Sequence, residues 1–301
     1  MTRINDVPAV AERPARLRVV YCTRGGLFGA RVLQRLAACE DLEVCAIVRS
    51  SRTVHASYGF LRGAAALIHR SGLSYALYLL WATTLTDLLA RLLSAPPGAS
   101  RVPQRPRSGW RTSKPPTHVT HDLNDPAGLE FLRNCAPDLL VSAFFDQRLK
   151  PAALAIPRHG CINLHPSLLP QFGGVDPVLQ ALGRGAPLGV SVHYMDAGLD
   201  TGALLAQQAL VVAAGASVFE ATARLFDSGA QLLCASVGKI RHGDIGASQH
   251  DSGSYQGWPT RAQVRQLRAT GHSLLRPMRD WRYSYSLLTG LRTPPMPETR
   301  T

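Results

Sequence analysis

Several features that would place a chain in a familiar class are missing from these 301 residues. The six cysteines form no CxxC pair and have no histidine at a zinc-like offset, which favours free thiols in a reducing compartment over disulfides or a metal site. The opening stretch, MTRINDVPAVAERPARLR, is polar and lacks the apolar run of a secretion signal. We therefore expect a cytoplasmic protein without a metal centre.

The most apolar stretch, residues 60 to 93, is too short in its uncharged part to span a membrane. No charged side chain occurs from Ser71 to Thr86, but a spanning helix needs roughly 20 apolar residues, and Asp87 and Arg91 follow. We expect no integral membrane segment. The pattern predicts a helix pair packed on the domain or on a second subunit, which leaves a homodimer open, and docking on a membrane surface is the alternative.

Lysine is scarce, with 3 lysines beside 30 arginines, and the net charge is +13. A basic chain attracts acidic partners, so phosphorylated substrates, a polyglutamylated cofactor, nucleic acid and an anionic membrane all stay open. In the predicted helix TRAQVRQLRATG, Arg261, Arg265 and Arg268 repeat along one face. A solvated stripe explains that spacing, and an anion-binding face is the alternative.

Short apolar strands alternate with amphipathic helices along most of the chain. RLRVVYC, GARVLQRLAAC and LEVCAIV open the pattern, and it resumes with THVTHD, PDLLVSAFF, GCINLHP and GVSVHYM. This alternation predicts an α/β, Rossmann-like fold with a mostly parallel sheet flanked by helices. Ser217 and Glu220 have capping-box spacing at the start of the last helix of the pattern.

We expect one domain over residues 1 to 240, interrupted by a helical insertion and linker at about 58 to 116. The linker part is rich in proline, arginine and serine. Residues 241 to 301 form a short C-terminal extension with one helix candidate and a proline-rich end.

The turn after the first strand, TRGGLFG, contains three glycines ahead of a helix. Glycines let the backbone turn tightly, and amide groups at a helix start attract anions. The substrate-binding candidates here are Arg24, Gly25, Gly26 and Phe28, and plain turn geometry is the alternative.

The stretch INLHP combines an amide and an imidazole within an apolar strand. Asn163 and His165 point to the same side of an extended chain, about 7 Å apart. Pro166 ends the strand in an extended form, so we expect His165 to project outward at the carboxyl edge of the sheet, where open α/β folds bind ligands. After GVSVHYM, the loop DAGLDTG should bring Asp200 to that edge from another strand's carboxyl end.

An amide, an imidazole and a carboxylate suit acyl transfer to an amine, since the carbonyl oxygen gains negative charge while the nitrogen gains positive charge. Asn163 is the candidate oxyanion donor, a contact worth on the order of 100-fold to 1000-fold in rate. His165 would donate to the same oxygen and shuttle a proton. Asp200 would hold the imidazole and accept charge from the nitrogen. Taken singly, each residue also has a structural explanation, as a turn or core residue.

NLHPSLLP, followed by GVSVHYMDAGLDTG and LLAQQALV, closely resembles the 10-formyltetrahydrofolate-dependent formyltransferases. That family includes glycinamide ribonucleotide, methionyl-tRNA and sugar-nucleotide formyltransferases. The resemblance covers about residues 16 to 240 and implies that Asn163, His165 and Asp200 form the catalytic triad, with 10-formyltetrahydrofolate as co-substrate. It further implies a cofactor pocket built largely from backbone groups, with candidates Val141, Ser142, Phe144, Phe145, Asp196 and Gly198.

Departures from the family bear on the acceptor. The insertion lies where many relatives have a shorter connection, and the methionyl-tRNA enzymes carry a β-barrel where residues 241 to 301 show little strand pattern. We therefore expect a small-molecule amine acceptor, such as an amino sugar or amino acid, and keep initiator tRNA as the alternative. A non-catalytic membrane-surface or partner-binding module on the same scaffold is the third hypothesis.

Overall fold

A seven-stranded sheet lies at the centre of the computed structural model, which describes residues 16–52, 60–86, 88, 115–249, 253 and 255–289. Five strands run parallel in the order β3-β2-β1-β4-β5, and β6 and then β7 extend the β5 edge as antiparallel strands. The predicted α/β fold with a mostly parallel sheet is confirmed. The strands are β1 (Leu17–Thr23), β2 (Leu42–Ser50), β3 (Thr117–Thr120), β4 (Leu139–Ala143), β5 (Cys161–His165), β6 (Leu188–Tyr194) and β7 (Leu204–Leu210).

Helices cover both faces of the sheet. One core cluster lies between the sheet and the packed pair α1 and α7, and a second lies between the other face and α4 and α5. Helix α3 continues into a π-helical turn at Trp81–Leu85. The described helices are α1 (Gly26–Ala38), α2 (Phe60–Ser71), α3 (Leu73–Leu80), α4 (Pro126–Cys135), α5 (Pro151–Leu154), α6 (Pro177–Gly183), α7 (Val218–Arg241), α8 (Arg261–Ala269) and α9 (Pro277–Thr289).

Helix α7 begins where the sequence indicates, but its cap is only half of the predicted box. Ser217 Oγ accepts a hydrogen bond from the Glu220 amide at 3.0 Å. The Glu220 carboxylate does not complete the box, because it pairs instead with Arg224 and Arg279, each at 2.9 Å. Ser217 Oγ also donates to Asp280 at 2.8 Å, which ties the start of α7 to α9.

The C-terminal extension contains two described helices, of which the sequence indicates only the first. Helix α8 begins with a full capping box at Thr260 and Gln263 and packs against α6 and α2. Helix α9, which was not predicted, packs against α1 and α7. Serines as well as apolar residues of α9 face the core, with Ser284 1% exposed, so its apolar periodicity is weak.

The predicted insertion is described only in part. Helices α2 and α3 belong to it, and α3 buries Tyr75 and Tyr78 in the core cluster under α1 and α7. Residues 53–59, Asp87 and residues 89–114, with Arg91 and most of the predicted linker, lie outside the described residues. The domain boundary at residue 240 stays a prediction.

Alternation along β5 separates the polar pair from the core. Ile162 and Leu164 enter the core beneath α7. Asn163 and His165 therefore lie on the opposite face, the one that α4 and α5 cover further along the sheet. Strand pairing places a row of residues across this face, one from each of four neighbouring strands: Cys22, Ser142, Asn163 and His193.

Candidate active site

Two histidines, one asparagine and one aspartate meet on this face of the sheet. Asn163 Nδ2 lies 3.2 Å from Nε2 of His193, its partner across β5 and β6. Asp200 Oδ1 lies 3.5 Å from Nδ1 of His165 and 3.7 Å from Nε2 of His193. The convergence expected for Asn163, His165 and Asp200 is present, and His193 stands at its centre.

The route by which Asp200 reaches the cluster differs from the prediction. Strand β6 runs antiparallel to β5, so its carboxyl end, Tyr194, pairs with Ile162 near the amino end of β5. The expectation that Asp200 leaves a strand at the same carboxyl edge as His165 is therefore wrong. The loop after β6 instead folds back over the sheet face to bring the carboxylate to the imidazole.

A second loop, the one after β5, holds Asp200 in place. The Gly174 amide donates to Asp200 Oδ2 at 2.8 Å, so Oδ1 is the oxygen turned toward the histidines. Asp200 has a φ of 59°, a left-handed conformation that is uncommon for residues other than glycine. Such conformations persist only where the surroundings enforce them, and they concentrate at functional sites.

The loop after β5 also covers His165. His165 is 5% exposed, and its Nε2 lies 3.1 Å from the carbonyl oxygen of Phe172. The expectation that Pro166 leaves this side chain projecting outward is wrong, because the loop turns back over the ring. Both ring nitrogens of His165 face oxygen atoms of the protein, Phe172 O and Asp200 Oδ1.

His193 has the opposite set of partners. Its Nδ1 lies 2.8 Å from the Tyr194 carbonyl oxygen, so that nitrogen carries the proton, and Nε2 accepts from the Asn163 amide. Burial lowers the pKa of His193 from 6.5 to about 4, with the charge of His165 acting in the same direction and Asp200 against it. The site thus contains a neutral histidine, His193, beside the buried His165.

A cleft with about 470 Å³ of open space borders the cluster. Asn163, His193 and Asp200 contribute to its wall, whereas His165 lies behind Asp200 and does not. Apolar and polar side chains alternate around the cleft, as is usual for small-molecule sites. The lining residues are Ser142, Phe145, Gln147, Arg148, Leu149, Asn163, His193, Met195, Asp196, Gly198, Leu199 and Asp200.

Comparison with known proteins finds a family that resembles part of this chain. Residues 100–237, which contain the whole cluster, match the model of the formyl transferase family. This part of the chain is similar to that family. The resemblance drawn from the NLHPSLLP and DAGLDTG motifs is thereby confirmed.

Curated relatives match less than half of the chain. A methionyl-tRNA formyltransferase of Stenotrophomonas maltophilia (strain K279a) is 40% identical over 129 residues, which are 42% of this chain and 42% of that protein. Another, from Alkaliphilus oremlandii (strain OhILAs), is 34% identical over 143 residues, 46% of each. The matched part is less than half the length of these relatives.

A solved structure resembles the chain over a longer stretch. A sugar N-formyltransferase from Shewanella sp FDAARGOS_354 aligns with a TM-score of 0.51 over 80% of this chain and 76% of that one. The identity is 14%, so the likeness supports the fold alone.

The cofactor-binding residues expected for the formyl transferase domain divide into two groups. Ser142, Phe145, Asp196 and Gly198 all line the cleft. Val141 is 0% exposed and belongs to the core on the other face, so only its backbone is available to a ligand there. Phe144, with a φ of 52°, turns its ring away to pack edge-on against Phe28 at 5.2 Å.

The substrate-binding residues expected in the glycine-rich turn precede the matched domain. Phe28 is 1% exposed and packs among Phe144, Phe219 and Phe226, so its side chain lies in the core, and its contact with substrate stays a prediction. Arg24 Nη1 lies 3.8 Å from Asp146 Oδ2, close after β4. Gly25 and Gly26, with φ of 94° and 71°, form the turn into α1.

Two further observations concern ions and membranes. Among the described residues, no group of three or more histidine, cysteine, aspartate or glutamate side chains is placed to hold a metal ion. No helix within the described ranges is both long and apolar enough to cross a bilayer.

Proposed function

We propose that the chain transfers a formyl group from 10-formyltetrahydrofolate to a primary amine of a small biosynthetic substrate. The observation that carries the proposal is the meeting of Asn163 and Asp200 in the wall of one cleft, with a neutral His193 and a buried His165 against them. The family match over residues 100–237 supports the reaction class.

The cleft has the composition that a folate donor requires. Phe145 and Met195 offer apolar surface to a flat ring, and polar groups beside them offer hydrogen bonds. Arg148 is exposed at the border, where it donates to the carbonyl of Ala197 and adds positive charge near a carboxylate-bearing tail. When bound, 10-formyltetrahydrofolate supplies the formyl group, which it carries on one of its own nitrogen atoms.

Asn163 would stabilise the formyl oxygen as the amine attacks. One N–H of its Nδ2 donates to His193 Nε2, which leaves the second N–H for the oxygen that gains negative charge. The His193 contact also fixes which end of the carboxamide carries the donors. Asn163 therefore acts as a preoriented donor.

Asp200 would take the proton that the attacking amine loses. Its Oδ2 is bound to the Gly174 amide, so Oδ1 is the oxygen available for the proton. A new C–N bond to the acceptor forms, the C–N bond to the folate breaks, and the proton passes to the folate nitrogen that leaves. His165 would position Asp200, since both of its ring nitrogens already face protein acceptors.

The test is the release of tetrahydrofolate by purified protein given 10-formyltetrahydrofolate and a panel of amino-sugar nucleotides and amino acids. We expect release with at least one amine, and a loss of roughly 100-fold or more in kcat for Asn163→Ala. Asp200→Asn should lower kcat as well, while circular dichroism stays that of the wild type. Full activity in both variants would remove the assigned roles.

Formylation of an initiator tRNA is the second candidate, because curated relatives of the domain are named methionyl-tRNA formyltransferases. Arg265 and Arg268 on α8 are exposed and could contact phosphates. Helices α8 and α9 pack on the rest of the fold, so point variants test this better than a deletion. An Arg265→Glu, Arg268→Glu double variant should lose activity on charged tRNA if tRNA is the acceptor, and keep it on a small amine otherwise.

The proposed function also includes a cellular compartment. All six cysteines are free, which supports a reducing environment, and we place the reaction in the cytoplasm.

A further inference from the structure

Leucines line the solvent side of α3 and its π-helical continuation. Leu73, Leu77, Leu80, Leu85 and Leu88 are between 44% and 60% exposed. A surface helix ordinarily turns polar residues outward and apolar ones inward. Here the inward side is already filled by buried aromatic side chains, so the helix is apolar on both sides and its outer stripe is about half exposed.

Helix α9 adds a second apolar stripe beside the first. Met278 is 80% exposed, and Trp281 and Tyr285 follow on the same side of the helix. The rings of Trp81 and Trp281 lie 6.2 Å apart, which joins α9 to the end of α3. We call the combined surface the leucine face; it consists of Leu73, Leu77, Leu80, Leu85, Leu88, Met278, Trp281 and Tyr285.

Basic side chains accompany the leucine face in sequence. Arg62 and His69 on α2 and Arg282 on α9 are exposed, and Arg70, also exposed, lies three residues before Leu73. The described residues 60–86 and 88 include no acidic side chain. The acidic residue of α9, Asp280, is 0% exposed and is bonded to Ser217 and Arg276.

We propose that the leucine face docks the protein on an anionic membrane surface. Exposed leucine and tryptophan on adjacent helices, with exposed arginines close in sequence, match the composition of helices that lie in the headgroup region. The apolar side chains would leave water for the acyl boundary, and the arginines would pair with lipid phosphates and carboxylates. The described helices are too short or too polar to span, so the contact is interfacial.

Charge favours a lipid surface over a second copy of this chain. In a two-fold dimer the same patch meets itself, so basic margins would face basic margins. Among the described residues of α2, α3 and α9, no exposed acidic side chain is available to compensate. An anionic bilayer supplies the missing negative charge.

Vesicle flotation of the full-length protein tests the proposal. Vesicles of phosphatidylcholine alone are compared with vesicles that also contain phosphatidylserine. We expect the wild type to float with the anionic vesicles, and Arg282→Glu to lower the partition coefficient roughly five-fold or more. A Leu73→Ser, Leu77→Ser variant should lose most of the binding, since it removes exposed side chains that the fold does not need.

A matched control keeps the result specific. Val211, 90% exposed, lies outside the leucine face, so Val211→Ser should bind like the wild type. Failure of the wild type to float with either vesicle would overturn the proposal. Vesicle binding that survives the Leu73→Ser, Leu77→Ser double change would also overturn it. So would a wild-type protein that binds no vesicle but forms a dimer, if the same double change converts that dimer to monomer.

Discussion

Asn163 and His193 stand opposite each other on adjoining strands, and the amide nitrogen of one lies 3.2 Å from Nε2 of the other. Because His193 Nδ1 is committed to the Tyr194 carbonyl, Nε2 must accept. The pair therefore fixes the carboxamide of Asn163 with its remaining N–H free. A buried histidine in the cleft wall thus sets the direction of the proposed oxyanion donor.

Two substitutions of His193 separate positioning from packing. His193→Gln retains a side-chain oxygen that can accept from Asn163, whereas His193→Leu does not. We expect kcat for formyl transfer to fall by up to roughly 100-fold in the leucine variant, with KM for the amine little changed and the glutamine variant intermediate. Steady-state kinetics check this, and equal losses in both variants would mean that the hydrogen bond is irrelevant.

His193 should also make the protein less stable in acid. In the unfolded chain a histidine titrates near 6.5, and burial lowers the pKa of His193 to about 4 in the folded chain. The unfolded state therefore gains a proton that the folded state excludes, so this contribution to the free energy of unfolding is lost as pH falls from about 6.5 toward about 4. The charges of Asp200 and Asp196 oppose the shift and that of His165 adds to it.

Urea unfolding of the wild type and His193→Gln measures this contribution. The difference in unfolding free energy between the two proteins should be larger at about pH 7.5 than at about pH 4.5, by on the order of 1 to 3 kcal/mol. A difference independent of pH would show that His193 is not kept neutral by burial.

Two glycines of α7 should respond oppositely to alanine. A Cβ at Gly229 would lie 2.6 Å from Val190 Cγ2 on β6, so Gly229→Ala should destabilise the fold by about 1 to 3 kcal/mol. A Cβ at Gly238 would meet nothing within 4 Å, and Gly238→Ala should stabilise by about 0.5 to 1 kcal/mol through helix propensity. Denaturant unfolding of the two variants measures the change in the free energy of unfolding. Two changes of the same sign would contradict the packing of α7 on the sheet.

Gly174 links loop geometry to the proposed base. Its φ is 104°, its amide holds Asp200, and a Cβ would lie 2.1 Å from the carbonyl oxygen of Gln256. Gly174→Ala should therefore displace the loop and reduce formyl transfer together with stability. Gly185→Ala is the matched control, since its φ is 62° but nothing lies within 4 Å. It should show only backbone strain of about 1 kcal/mol and full activity.

Strand periodicity was enough to predict most of the fold and half of the site. The alternation of apolar runs indicated the sheet, and the period of two placed Asn163 and His165 on one face. His193 was missed because its role depends on pairing with Asn163 across β5 and β6, and a single sequence does not reveal that β6 reverses direction. The same reversal explains the wrong route predicted for Asp200.

Side-chain direction decides how the other predicted site residues can take part. Phe28 follows the glycine-rich turn and was predicted to reach substrate, yet as a large apolar residue it enters the core with Phe219 and Phe226. Val141 alternates with Ser142 along β4, so only one of the two can face the cleft. Closeness to a motif in the sequence does not separate residues that face the cleft from residues that face the core. The side of the strand or helix on which a residue lies separates them.

Transfer of an isotope-labelled formyl group tests the central proposal most directly. Purified protein is given 10-formyltetrahydrofolate labelled at the formyl carbon, together with the amine panel, and products are identified by mass spectrometry. We predict labelled N-formyl product from the wild type, roughly 100-fold less or none in the same time from Asn163→Ala, and less from Asp200→Asn. Label recovered only as free formate, or product formation unchanged in both variants, would contradict transfer to an amine by this cluster.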